Sequence, residues 1–309
     1  MSPPRVRSGG PSRVLCLGDA LVDLIAERWV QEVAQARAFV PHFGGAVANV
    51  AVAAAAEGAP VALAGGAGAD TWGHWLRERL VREGVDVSLF ELFPDAQTQL
   101  ALVTVDSGGE PHYDIYGQAG QAVVRVLGER VQEEVERAAA VVIGSNTLVG
   151  PDERELTMRV RETALELERP LVFDANLHLH RWRTRAEAAA CANACVPRAL
   201  LVRATAAEAA VMTGEDDPEA AASALVKAGA RLVVLTLGRS GAMLRGELRA
   251  DAPGVPARIL STIGAGGVLT GVLIARLVES RFYPPSVAAA LAASVTAAAR
   301  ACERWGSLD

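Results

Sequence analysis

Ser261-Thr262-Ile263-Gly264-Ala265-Gly266-Gly267 runs straight into the apolar segment from Val268 to Leu277. A Gly-Ala-Gly turn that opens a helix leaves backbone N–H groups unpaired and pointing outward, a cradle for a phosphate or another developing negative charge. Thr236-Leu237-Gly238-Arg239-Ser240-Gly241 offers a second such place. It closes an apolar run with two glycines, and a turn of this kind sets backbone amides against phosphate oxygens.

Other segments carry polar side chains or glycines where a ligand could approach. Gly18-Asp19-Ala20-Leu21-Val22-Asp23 follows a short apolar run. A carboxylate at the carboxyl end of a parallel strand sits where open α/β sheets hold their ligands. Asp19 also reads well as a helix N-cap, a role that does not suit Asp23 in its apolar surroundings. Gly44-Gly45-Ala46-Val47-Ala48-Asn49 lets backbone approach a ligand closely and puts an Asn on an Ala/Val helix, where it needs a partner. Asp174-Ala175-Asn176-Leu177-His178 ends another apolar run, and Thr205-Ala206-Ala207-Glu208 opens a helix whose Glu reads, on the residues alone, as a solvated carboxylate. His178 and His180 alternate on a loop with no third ligand, which argues against a metal site.

In this order and spacing the segments resemble the ribokinase-like (PfkB) carbohydrate kinases, over essentially residues 13 to 306 and most closely in the fructokinase and 2-keto-3-deoxygluconate kinase branch. The resemblance implies a sugar site formed by Asp23, Gly44, Gly45, Asn49, Asp174, Asn176 and His178. It implies a nucleotide site at Thr205, Glu208, Thr236, Gly238 and Gly241, with ATP and Mg2+ as co-substrate and Glu208 holding the metal through water. Gly264, Ala265 and Gly266 would be the anion hole. Gly66 to Gly73 matches a family segment that is mainly structural, and the Ala-rich stretch from Ala289 to Gly306 matches the helix that flanks the adenine.

The chain departs from the pattern at functional positions. The family's signature reads Asp-Thr-x-Gly-Ala-Gly-Asp, and its final Asp takes the proton from the sugar hydroxyl; here that position is Gly267, and the leading Asp is Ser261. Loss of the first carboxylate leads us to expect no potassium activation. His178 stands for an Arg and Thr205 for an Asn. Three readings follow: a slow fructokinase-type enzyme, a pseudokinase that binds sugar or nucleotide as a sensor or partner subunit, and a purely structural relative. Retained Asp23 and Asn49 count against the last, because buried polar groups without a ligand are costly.

The elements that must position these residues alternate. Short apolar runs at Arg13 to Leu17, Val61 to Ala64, Ala140 to Gly144, Leu171 to Asp174, Leu200 to Arg203 and Leu232 to Leu237 are each followed by helical sequence, except that a Gly-rich turn intervenes after Ala64. That pattern predicts a mostly parallel sheet covered by helices on both faces. Two stretches break the rhythm, about 24–43 and 98–118; in the second, Asp106-Ser107-Gly108-Gly109 reads as a hairpin turn. They predict a small β-sheet lid, discontinuous in sequence, whose exposed face would invite dimerisation. The whole is an α/β, ribokinase-like domain over 13–309 behind a disordered tail at 1–12.

Bulk properties set the outer limits. At 309 residues and 51% apolar, the chain can bury a large core. A net charge of −6, with Lys227 the only lysine and no Arg cluster, argues against nucleic acid. No segment is long and apolar enough to span a membrane, and the polar start carries no signal-peptide core, so a cytoplasmic protein acting on a small sugar is expected. Cys16, Cys191, Cys195 and Cys302 read as buried small hydrophobes rather than ligands or disulfides.

Overall fold

The computed structural model describes residues 13–117 and 121–308; the tail expected at 1–12 lies outside the described residues. Thirteen strands are present there: β1 (Arg13–Leu17), β2 (Leu21–Ala26), β3 (Phe39–Gly44), β4 (Val61–Gly68), β5 (Phe90–Phe93), β6 (Leu100–Val105), β7 (Pro111–Tyr116), β8 (Ala138–Gly144), β9 (Leu171–Asp174), β10 (Leu201–Thr205), β11 (Leu232–Thr236), β12 (Gly241–Gly246) and β13 (Ala250–Pro253). Among ten α-helices, α1 (Ala46–Ala56), α2 (Thr71–Arg82), α3 (Ala122–Leu127), α4 (Val131–Arg137), α5 (Pro151–Glu166), α6 (Arg185–Ala194), α7 (Ala206–Thr213), α8 (Pro218–Lys227), α9 (Ala265–Glu279) and α10 (Pro285–Ala301), the pair α1 and α9 frames the site.

Nine strands form one sheet in the order β13-β12-β11-β10-β9-β8-β1-β4-β5. From β11 to β5 every pairing is parallel, and only β12 and β13 run against their neighbours. Its two faces bury separate clusters, one under α3 to α8 around Ile143 and Phe173, the other under α1, α2, α9 and α10 around Leu63 and Leu273. Burial on both faces is why β1, β8 and β11 read as unbroken apolar runs rather than alternating ones.

A four-stranded sheet, β3-β2-β6-β7, stands apart with its own small core of Ile25, Ala101, Val103, Val105 and Ile263. Strands β6 and β7 form the expected hairpin, in which Asp106 Oδ1 accepts from the amides of Gly108 and Glu110. Its tip is fastened to the main body. The carbonyl of Gly109 accepts from Thr262 N at 2.8 Å, and Trp29 Nε1 donates to the Leu260 carbonyl at 2.9 Å.

Two sequence expectations need correction. No turn follows Ala64, because β4 continues through Gly65, Gly66, Ala67 and Gly68. Those glycines are needed for packing: a Cβ on Gly66 would come within 2.5 Å of the Glu91 carbonyl, and one on Gly68 within 2.6 Å of the Ala96 carbonyl. Asp23, in turn, does not end a strand of the main sheet. It lies inside β2 of the small sheet, opposite His42 of β3, which places the small sheet's strand beside the site as a wall.

Candidate active site

One cavity of about 1260 Å³ lies over the carboxyl ends of β1, β8, β9, β10 and β11 and is roofed by the small sheet. It gathers Asp23, Gly45, Asn49, Asp174, Asn176, His178, Thr205, Glu208, Thr236, Gly238, Gly241 and the turn from Gly264 to Gly267. Gly44 is the exception. It lies beneath the Asp23 carboxylate, which a side chain at 44 would displace, so it makes room for the ligand group without lining the cavity.

Asp23 is 3% exposed, and its Oδ1 is inaccessible and without a hydrogen-bond partner in the protein. Burial pushes its carboxyl up to about 7. Asp19 caps no helix, because β2 follows it after a single residue. It too carries an inaccessible, unpartnered Oδ1, and burial lifts its carboxyl to about 7 while Arg181 opposes the rise. Both residues also line the cavity, and two carboxylates there, each with acceptor capacity the protein leaves unmet, form a wall suited to a ligand rich in hydroxyl donors. Asn49, on α1, is 7% exposed; one end of its amide meets Ser307 Oγ at 2.8 Å and the other lies beside Gly264.

Asp174 ends β9 with both oxygens engaged. Thr270 Oγ1 donates to Oδ2 at 2.6 Å, and Arg203 Nη1 lies 3.3 Å from Oδ1. Burial raises its carboxyl, and Arg203 with Thr270 pulls it back down. Arg203 is the residue that sequence reasoning passed over as mere strand. It is 5% exposed, donates to Thr236 Oγ1 at 3.0 Å, keeps its charge beside Asp174, and has an Nε with no partner. Its guanidinium lies directly under the glycine turn, 2.5 Å from where a Cβ on Gly266 would be. The one available signal was a cation within an otherwise apolar strand run, Leu-Val-Arg-Ala-Thr.

Glu208 is neither a solvated helical carboxylate nor a free metal ligand. Oε2 accepts from Thr205 N at 2.7 Å, Thr205 Oγ1 accepts from Glu208 N in return, and Oε1 accepts from Leu177 N at 2.8 Å. This capping box ties the start of α7 to the Asn176 loop. A magnesium ion arriving with a triphosphate would meet Glu208 through water, which suits that ion's reluctance to dehydrate. His178 is uncharged at neutral pH, held near 4 by burial and by His180 beside it. Its Nε2 therefore accepts from Asn176 Nδ2 at 3.1 Å, and the ring meets Tyr113 of β7 edge-on with centroids 5.2 Å apart.

The anion turn is built as the sequence implies. Gly264 takes the left-handed conformation (φ 75°) as the N-cap of α9, which aims the first amides of the helix at the cavity. At Gly267 the helix presses on α1. A Cβ there would lie 2.9 Å from Asn49 Cβ and 3.3 Å from Val50 N, and one turn later a Cβ on Gly271 would lie 2.5 Å from Ala53 Cβ. A side chain at Gly267, which itself lines the cavity, would thus crowd Asn49 unless the two helices shifted.

A polyol wall, a buried cation and an anion turn at the carboxyl edge of a parallel sheet accord with the family the motifs suggest. The sequence profile of the pfkB family carbohydrate kinase matches residues 11–307. The chain belongs to the pfkB family of carbohydrate kinases. Fructokinase-1 of Oryza sativa subsp. japonica is 30% identical over 274 residues, covering 88% of this chain and 85% of that protein. Fructokinase-1 of Zea mays is 29% identical over the same share of each chain. Among solved structures, fructokinase from Vibrio cholerae O395 in its fructose, ADP and calcium bound form superposes with a TM-score of 0.82 at 26% identity, covering 96% of this chain and 94% of that one. Aminoimidazole riboside kinase from Salmonella enterica shares the fold, with a TM-score of 0.81 at 22% identity. PfkB kinases are thus the chain's relatives in both sequence and architecture.

Proposed function

We propose that this pfkB-family protein binds a neutral sugar of the fructose type together with ATP and Mg2+, and transfers the phosphoryl group slowly or not at all. The observation that carries the reading is the pairing of two unpartnered carboxylate oxygens, on Asp19 and Asp23, with a glycine turn whose base position is crowded by Asn49. The carboxylates favour hydroxyl donors. Two carboxylates face one cation at that end, Arg181, whose Nη1 is bonded to Asn146 Oδ1, and His178 is uncharged; that balance favours a neutral sugar over an acidic one.

At the other end, the amides of Gly264 to Gly267 and the charge of Arg203 suit a phosphate. Phosphoryl transfer depends chiefly on positioning and charge stabilisation, so those parts sustain nucleotide binding without a base. A positioned general base contributes about 10² to 10⁴ in rate, and no carboxylate stands at Gly267 to supply it. The reading is tested by calorimetric titration with fructose and with an ATP analogue, beside an assay of fructose-dependent ADP release. Saturable fructose binding with little release supports it; absence of fructose binding refutes it, and rapid release refutes the crippled transfer step.

A further inference from the structure

Ser307, six residues past the end of α10, is 1% exposed and touches the site from behind. Its Oγ lies 2.9 Å from the Phe43 carbonyl at the end of β3 and 2.8 Å from Asn49 Oδ1, 258 residues away in sequence, with Asn49 Nδ2 on the side of Gly264. The Cβ and Cα of Ser307 also back directly onto Gly264, where any side chain would strike them. The C-terminal segment therefore closes a triangle between the sugar-side helix α1, the small sheet and the anion turn.

We propose that Ser307 is a positioning residue for Asn49, fixing which end of its amide faces the ligand. A hydroxyl has one proton to give and can accept in return. It cannot serve both the Phe43 carbonyl and an Asn49 carbonyl. All three groups are satisfied only when the Asn49 amide is turned over from the placement above, so that Ser307 donates to the Phe43 carbonyl and accepts from Asn49 Nδ2. In that arrangement Asn49 Oδ1 is the end beside Gly264, at the mouth of the anion turn. Asn49 then offers an acceptor to a sugar hydroxyl next to the place where the phosphoryl group arrives. In a site without a carboxylate at Gly267, this oxygen is the group left to orient the hydroxyl that would attack. The proposal rests on the sugar-binding reading above, but its first test does not need a ligand.

That test is the side-chain amide spectrum of Asn49 in 15N-labelled protein, assigned by its disappearance in Asn49→Ala. The native amide should show one proton protected from exchange by its bond to Ser307, and Ser307→Ala should abolish the protection while Ser307→Thr keeps it. An Asn49 amide unchanged by Ser307→Ala would overturn the proposal, whatever the protein binds. The second readout is fructose affinity by calorimetry. Loss of one neutral hydrogen bond corresponds to roughly 2- to 12-fold weaker binding in Ser307→Ala. The same change in an Asn49→Ala background should have no further effect. An equal loss in both backgrounds would mean that Ser307 acts on the fold and not through Asn49. A native protein that binds no fructose would instead defeat the functional reading, while the amide spectrum would still decide the role of Ser307.

Discussion

The two ends of the cavity are built on opposite principles. At the sugar end, Asp19 and Asp23 carry buried oxygens that the protein leaves unpaired, and Gly44 yields the space that Asp23 occupies. At the transfer end, Asp174, Arg203, Thr236 and Thr270 bond to one another, with Arg203 Nε alone left over, and Gly267 is pressed against Asn49. One end holds open acceptor capacity at a cost to stability; the other has both carboxylate oxygens engaged and a single donor to spare. A substituted base position by itself would say only that a residue changed. The close packing of α1 on α9 adds that a side chain at this position would meet Asn49.

The largest effect should come from the buried pair at the transfer end. Arg203→Met strands Asp174 in the interior, and breaking such a pair by removing one partner costs about 3–5 kcal/mol. Urea denaturation should show that loss, and adding Asp174→Leu should recover much of it. If Arg203→Met left stability unchanged, the two ends would not differ as described.

Next comes Asp23. Hydrogen bonds to a charged group contribute about 1.5–3 kcal/mol each, so Asp23→Asn should weaken fructose binding by at least about tenfold. Stability should respond in the opposite sense, and only in a defined pH range. The folded carboxyl, at about 7, lies above the ordinary aspartate value of 3.8. Its contribution is therefore complete below about pH 4 and is lost as pH rises through 7. Thermal melts should show the native protein and Asp23→Asn converging near pH 4, with the variant the more stable at pH 8. Because bound hydroxyls favour the ionised carboxylate, fructose affinity of the native protein should rise between pH 6 and 8.

A smaller effect sharpens the contrast at Gly267. Overpacking a tight contact costs about 1–3 kcal/mol. Gly267→Ala and Gly267→Asp should each lose stability in that range, since both place a Cβ 2.9 Å from Asn49 Cβ, and Gly267→Asp alone should not restore transfer. A gain of 10²-fold or more in turnover would show that the helices part readily. The smallest effect belongs far from the cavity. Arg276→Ala breaks exposed pairs with Glu57 and Glu279 and should change stability by less than about 0.5 kcal/mol.

Much of this contrast was legible in the sequence, and unevenly so. Strands β9 and β11 and the β6–β7 hairpin were readable because unbroken apolar runs and an Asp-Ser-Gly-Gly turn report local physics. The residues of the glycine turn and the sugar wall were legible by motif. What escaped was set by distant contacts. Gly65 to Gly68 read as a turn because glycine is the usual turn residue, whereas the demand came from carbonyls of strands not yet placed. Glu208 left two readings open, because its partner Leu177 lies 31 residues away. Arg203 was silent because a cation in a strand declares its purpose only when Asp174 lines up beside it in register and Thr236 comes within reach of its guanidinium.

The most direct test sets binding against turnover in one preparation. Fructose binding would be measured by calorimetry, and ATP-dependent fructose phosphorylation would be compared with the Vibrio cholerae fructokinase under identical conditions. The account requires saturable fructose binding together with a transfer rate lower by about 10² to 10⁴. Equal rates would contradict it, because a crowded base position would then carry no catalytic consequence; a cavity that binds no fructose would contradict it at the other end.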